Sequence, residues 1–141
     1  MTREQVAAFI AEFEGCRLSK LQWTHQAHLT AGFWYVSQLG ADALQVIRSN
    51  IRRHNESVGT ANTDTGGYHE SITRLYLMAI DRHIRTHQGE SFEASLRTLL
   101  DSDLGSSTWP LTYYSRERLF SVAARRGWLE PDLHPVEQSP S

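Results

Sequence analysis

The chain has 141 residues, 40% of them hydrophobic and 21% charged, with a formal net charge of -2. That length and balance suit one globular domain with a real core and argue against wholesale disorder. They give no global attraction to nucleic acid or to an anionic membrane. Apolar stretches are short and interrupted, so no transmembrane helix is expected, and the N-terminus lacks the plan of a secretory signal. Cys16 is the single cysteine. With no disulfide to form, it reads as a small apolar residue in a protein of the reducing cytoplasm.

Helix signals then follow one another. Thr2 with Gln5 resembles a capping box ahead of Val6, Phe9, Ile10 and Phe13 at helical spacing. Thr24 caps a second predicted helix that runs to Gly40. A third spans about 41–57 and a fourth about 68–87, closed by Gly89. Ser91 opens a fifth and Ser115 a sixth, the latter ending at Arg125, Arg126 and Gly127. Residues 109–114 read as a short extended piece, and 60–67 as an irregular loop of the length that often carries function. The expected fold is all-α: one compact bundle of about six helices over 1–130, with 131–141 an extended, fraying, proline-containing tail.

On these helices the polar residues fall inward. His25 and His28 lie in the first turn of the second helix, on or beside the arc of Leu29, Gly32 and Val36. Asn50 and His54 share the arc of Ala43, Ile47 and Ile51 on the third. His69 and Thr73 share that of Ile72, Tyr76 and Ile80 on the fourth. A hairpin across Gly40 puts His54 beside His25 and His28, and the loop at 60–67 returns His69 to the same end. Buried polar groups without partners cost about 1–3 kcal/mol each, so these residues are expected to meet one another, a ligand or a metal.

Three readings follow. In the first, His25, His28 and His69 ligate a divalent ion, zinc or iron, with Glu70 as general base beside His69. This is a metal-dependent enzyme, of hydrolase or oxygenase type, acting on a small molecule. In the second, the pocket holds no metal. His69 and Glu70 do acid–base work, or the protein simply binds a small molecule, and Asn50, His54, Tyr68 and Thr73 contact it. Helix N-termini at Thr24 and Tyr68 favour an anionic group. In the third, the histidines are structural and the protein is a non-catalytic module, a homodimer in one version. No cofactor other than a metal, and no nucleic-acid or membrane partner, is expected. His83 and His87 read as partners of their helix's C-terminal dipole, and Arg116, Arg118, Arg125 and Arg126 as a solvated face.

The phrases Trp-Thr-His-Gln-Ala-His-Leu at 23–29, Gly-Tyr-His-Glu-Ser at 67–71 and Tyr-Tyr-Ser-Arg-Glu-Arg-Leu at 113–119 resemble a family of small bacterial proteins. The resemblance covers about 23–133. It implies a bacterial, cytoplasmic protein and carries no activity with it.

Overall fold

A computed structural model describes residues 1–136, and within them the chain is all helix and loop. Five longer helices appear: α1 (Arg3–Glu14), α2 (His25–Leu39), α3 (Ala43–Ser57), α4 (Glu70–Thr86) and α5 (Phe92–Asp101). Two short ones follow, α6 (Arg116–Leu119) and α7 (Val122–Arg126). The single sixth helix expected from the sequence is thus split. Ser121 has extended backbone and accepts from Ala124 N–H, so it starts a new helix as Ser115 did six residues earlier. The piece at 109–114 is not extended: Trp109–Thr112 is a 3₁₀ turn with Pro110 near its start.

The other caps follow the sequence. Thr2 and Gln5 form a reciprocal capping box on α1, Thr24 accepts from Ala27 N–H, and Ser91 accepts from Ala94 N–H. The start of α4 is different: its N-cap is His69, whose ring nitrogen accepts from Ile72 N–H.

Helix α2 is the central element, packed chiefly on α4 and α3. Its face holds Gly32 where α4 crosses. A Cβ there would stand 2.8 Å from Ile80 Cδ1, so glycine allows the close approach. The core is divided. A larger cluster joins α1 to α5 through residues such as Phe13, Leu29, Phe33, Ile47, Ile80 and Leu96. A smaller one gathers Leu75, Tyr114 and Leu119 with Ile72, Trp109 and Trp128.

Residues 131–136 are docked rather than frayed. The Asp132 carboxylate accepts from Ser115 N–H and Oγ–H, Leu133 N–H donates to the Tyr113 carbonyl, and Val136 packs on the smaller cluster. Backbone hydrogen bonds and apolar contact outweigh the prolines' lack of donors. The rest of the expected tail, 137–141, lies outside the described residues. Three of the four arginines expected as a solvated face are likewise tethers. Arg118 donates to the Glu130 carbonyl, Arg125 to the Gly67 carbonyl, and Arg126 pairs with Asp64. The last two fix the loop at 60–67 to α7. Among the described residues no helix is long and apolar enough to cross a membrane.

Candidate functional site

Where the two core clusters fail to merge, a cavity of about 440 Å³ opens between α2, α3, α4 and the α6 segment. Leu29, Ile47 and Ile80 line it from the larger cluster, and Ile72, Leu111 and Leu119 from the smaller. The wall is mostly hydrocarbon. Its polar groups are few: His25, His28, Thr73, Tyr76, Ser107, Thr108 and Arg116. Arg116 is exposed, and none of the ion pairs of the described residues includes it. On the other side of a wall formed by His28, Ile51, Ile72 and Thr73 lies a second, more polar cleft of about 500 Å³, which also reaches Trp23, His54, Tyr68 and His69.

His28 belongs to both spaces. It stands one turn into α2, and its Nδ1 lies 2.7 Å from the Thr24 carbonyl oxygen. A carbonyl only accepts, so Nδ1 carries the proton and Nε2 the lone pair. Among the described residues no group bonds Nε2. The residue is exposed, opening to both the cavity and the cleft, while the protein atoms packed about its ring desolvate it in part. That desolvation is the main reason its pKa is pushed down to about 4. The bond to Thr24 opposes the shift, and the neighbouring His25 and His54 add to it. At neutral pH His28 is therefore an uncharged hydrogen-bond acceptor.

Trp23 fixes the ring from above. It is the residue before the Thr24 cap and His28 is the fourth helical residue, which is the spacing of a hydrophobic staple. Their ring centroids are 4.0 Å apart, and the other side of the indole stacks on Phe13 at 4.4 Å.

The second helix start, at α4, is built otherwise. His69 donates through Nε2 to the Leu119 carbonyl at 2.6 Å and accepts through Nδ1 from Ile72 N–H at 3.1 Å. Both nitrogens are spent on backbone groups. Burial lowers its pKa, against the Leu119 bond and with help from Arg125. Glu70, expected as a proton acceptor, is clamped in a bidentate pair with Arg48 at 2.8 and 2.6 Å and accepts from Tyr68 Oη–H at 2.7 Å. Burial alone would raise its pKa, but the bonds from Arg48 and Tyr68 more than offset it and hold the carboxylate below its ordinary range. Glu70 lines neither space.

The remaining expected site residues divide. His25 lines the cavity, with Nε2 donating to the Leu104 carbonyl at 2.8 Å and its ring edge against Tyr76. His54 is fully buried behind the cleft and donates through Nε2 to the Leu18 carbonyl at 3.2 Å. Tyr68 lines the cleft, and Thr73 lines both spaces while donating to the His69 carbonyl. Asn50 is elsewhere. It donates to the Tyr35 hydroxyl and accepts from Arg53, on the side of α3 that faces Glu14.

The residues do not fit the expected divalent ion. Among the described residues no group of three His, Cys, Asp or Glu stands close enough to hold one. His69 has no lone pair left to give, because capping α4 consumes it. Residues that matter here and escaped the sequence reading are Arg48, Trp23 and Leu111. Trp23 was legible as the staple partner of His28. Arg48, 22 residues before Glu70 and beside the apolar arc of α3, left no local signal.

Comparison with protein-family models, curated proteins and solved structures finds no match to this chain.

Proposed function

We propose that the protein binds a small, largely apolar organic molecule in the cavity between its two core clusters, with His28 as the polar contact that orients it. The observation that carries this reading is a hydrocarbon-lined space of about 440 Å³ with a fixed, neutral imidazole in its wall whose Nε2 has no partner among the described residues. Ligand sites typically combine a concave apolar lining with a few placed polar groups in this size range. An apolar cavity of about 150 Å³ admits benzene, so this one suits roughly 15–20 non-hydrogen atoms. Arg116 at the lining, without an acidic partner, favours a ligand with an anionic end.

This is the metal-free reading with its chemistry moved from His69 and Glu70 to His28. A neutral imidazole with so low a pKa is a weak base and a good acceptor, which supports binding over proton abstraction. The test uses 1-anilinonaphthalene-8-sulfonate, an apolar anion of suitable size. The native protein is expected to bind one equivalent with enhanced fluorescence. Leu111→Trp, which fills the cavity, should weaken binding at least tenfold, and Arg116→Gln several-fold. Equal binding by the native and Leu111→Trp proteins, both folded by circular dichroism, would refute the site.

A further inference from the structure

The polar side chains that α2 and α4 bring to the apolar cavity have all given their protons to backbone carbonyls. His25 donates through Nε2 to Leu104 and His28 through Nδ1 to Thr24. Thr73 donates through Oγ1 to His69 and Tyr76 through Oη to Ser106. What these groups keep is lone pairs, on Nδ1 of His25, Nε2 of His28 and the two hydroxyl oxygens. The lining side chains with protons left to give are Ser107, Thr108 and Arg116, and all three are exposed. The cavity thus has donors at its mouth, while the polar side chains of its helical walls only accept.

That pattern selects a ligand. A ketone, ether or ester oxygen carried past the mouth would leave its water and meet only other acceptors. An amide N–H would bring a stranded carbonyl with it. A carboxylate inside would set its charge against the same lone pairs, whereas at the mouth it meets Arg116. An ammonium would find acceptors but no carboxylate in the lining, and Arg116 would repel it. A hydroxyl supplies the proton that the walls lack and carries no charge. Of the four acceptor residues, His28 is the exposed one, and the others are partly buried. Its Nδ1 is turned to its own helix, so Nε2 is the outer nitrogen, on a ring that Trp23 holds in place.

We infer that the cavity takes a hydrophobic organic anion with a hydroxyl group remote from its charged end, the hydroxyl donating to His28 Nε2 and the charge lying at Arg116. This rests on the reading of the cavity as a ligand site and names the class of molecule that it selects.

Direct titrations of the full-length protein with 6-hydroxy-2-naphthoate, 6-methoxy-2-naphthoate and 2-naphthoate test it. The three share a ring system and a charge. The methoxy compound keeps the oxygen without the proton and is larger than the hydroxy compound, and 2-naphthoate is smaller, so size cannot favour the one between. The hydroxy compound should bind about tenfold more tightly than either control and should shift the His28 Nε2 signal. His28→Phe keeps a ring against Trp23 and removes the acceptor, so it should reduce that preference to about threefold or less. Leu111→Trp should weaken all three. Equal affinities for the hydroxy and methoxy compounds, with 1-anilinonaphthalene-8-sulfonate still bound in the cavity, would overturn the inference and leave the cavity reading standing. A hydroxyl preference that survives Leu111→Trp would also overturn it, because the hydroxyl would then lie elsewhere. Failure of the sulfonate and all three naphthoates to bind would remove the cavity reading and this inference with it. If His28→Phe does not fold, the ranking of the three compounds on the native protein decides alone.

Discussion

Two helix starts in this protein bring histidine to the same end of the bundle, and they use it in opposite ways. At α2 the cap is Thr24, so His28, one turn in, needs only Nδ1 to satisfy the Thr24 carbonyl and keeps Nε2 free. At α4 the cap is His69 itself, and capping plus the bond to Leu119 uses both of its nitrogens. The acids differ in the same sense. Glu70 stands in the first turn of α4 as the helix dipole favours, but its ionised form is bound by Arg48 and Tyr68. A histidine's chemistry thus depends on whether the backbone has already claimed its lone pair. The α4 start is a structural joint, and the α2 start is the wall of a cavity.

The largest test of that contrast is at Glu70. Arg48→Ala leaves a buried carboxylate with Tyr68 as its remaining partner. Breaking a buried pair costs about 3–5 kcal/mol, and the partial exposure of Arg48 reduces this to about 2–3 kcal/mol. Urea denaturation should show that loss, with probe binding in the cavity retained at concentrations where the protein is folded.

Next comes the histidine pair. His69→Ala removes a cap and the link to Leu119, and is expected to cost about 2 kcal/mol. His69→Asn, a good N-cap, should recover part of it. His28→Ala gives up one local bond and should cost less than His69→Ala by the same assay, while weakening ligand binding more. A reversal of this order would mean that the roles are exchanged.

Acidification gives a smaller, graded effect. His28, His69 and His83 all have native pKa values lowered chiefly by burial. Above the unfolded value of about 6.5 neither state is protonated and these groups contribute nothing to the pH dependence. As the pH falls from there toward 4, the unfolded chain takes up protons that the native protein resists, so stability declines. Glu70, lowered instead by its partners, adds a further loss as the pH falls through the ordinary carboxylate range toward its lowered native value. His28→Phe keeps a ring against Trp23 and should flatten the slope between pH 6.5 and 4. An unchanged slope would contradict the assignment of His28 as a neutral, desolvated ring.

Much of the architecture was legible because local rules agreed with one another. Thr2, Thr24, Ser91 and Ser115 each cap the helix that the periodicity announced. The split at Ser121 was hidden because Leu119, Val122 and Ala123 keep helical spacing across it. The docking of residues 131–136 was hidden because proline content says nothing about Asp132 reaching Ser115. At the site, helical projection brought His28, His54, His69 and Thr73 to one cleft, as their apolar arcs required. It could not show which lone pairs remain. Residues on one arc can still bond to carbonyls 36 or 50 positions away, as His54 and His69 do.

The most direct test of the account is the side-chain nitrogen spectrum of uniformly labelled protein at pH 7, with and without saturating 1-anilinonaphthalene-8-sulfonate. His28 should appear as the Nδ1-protonated tautomer, with its Nε2 signal shifting when the probe binds, while both nitrogens of His69 stay in place. A His28 ring that is Nε2-protonated or unmoved by the probe, or a His69 signal that moves in its stead, would contradict it.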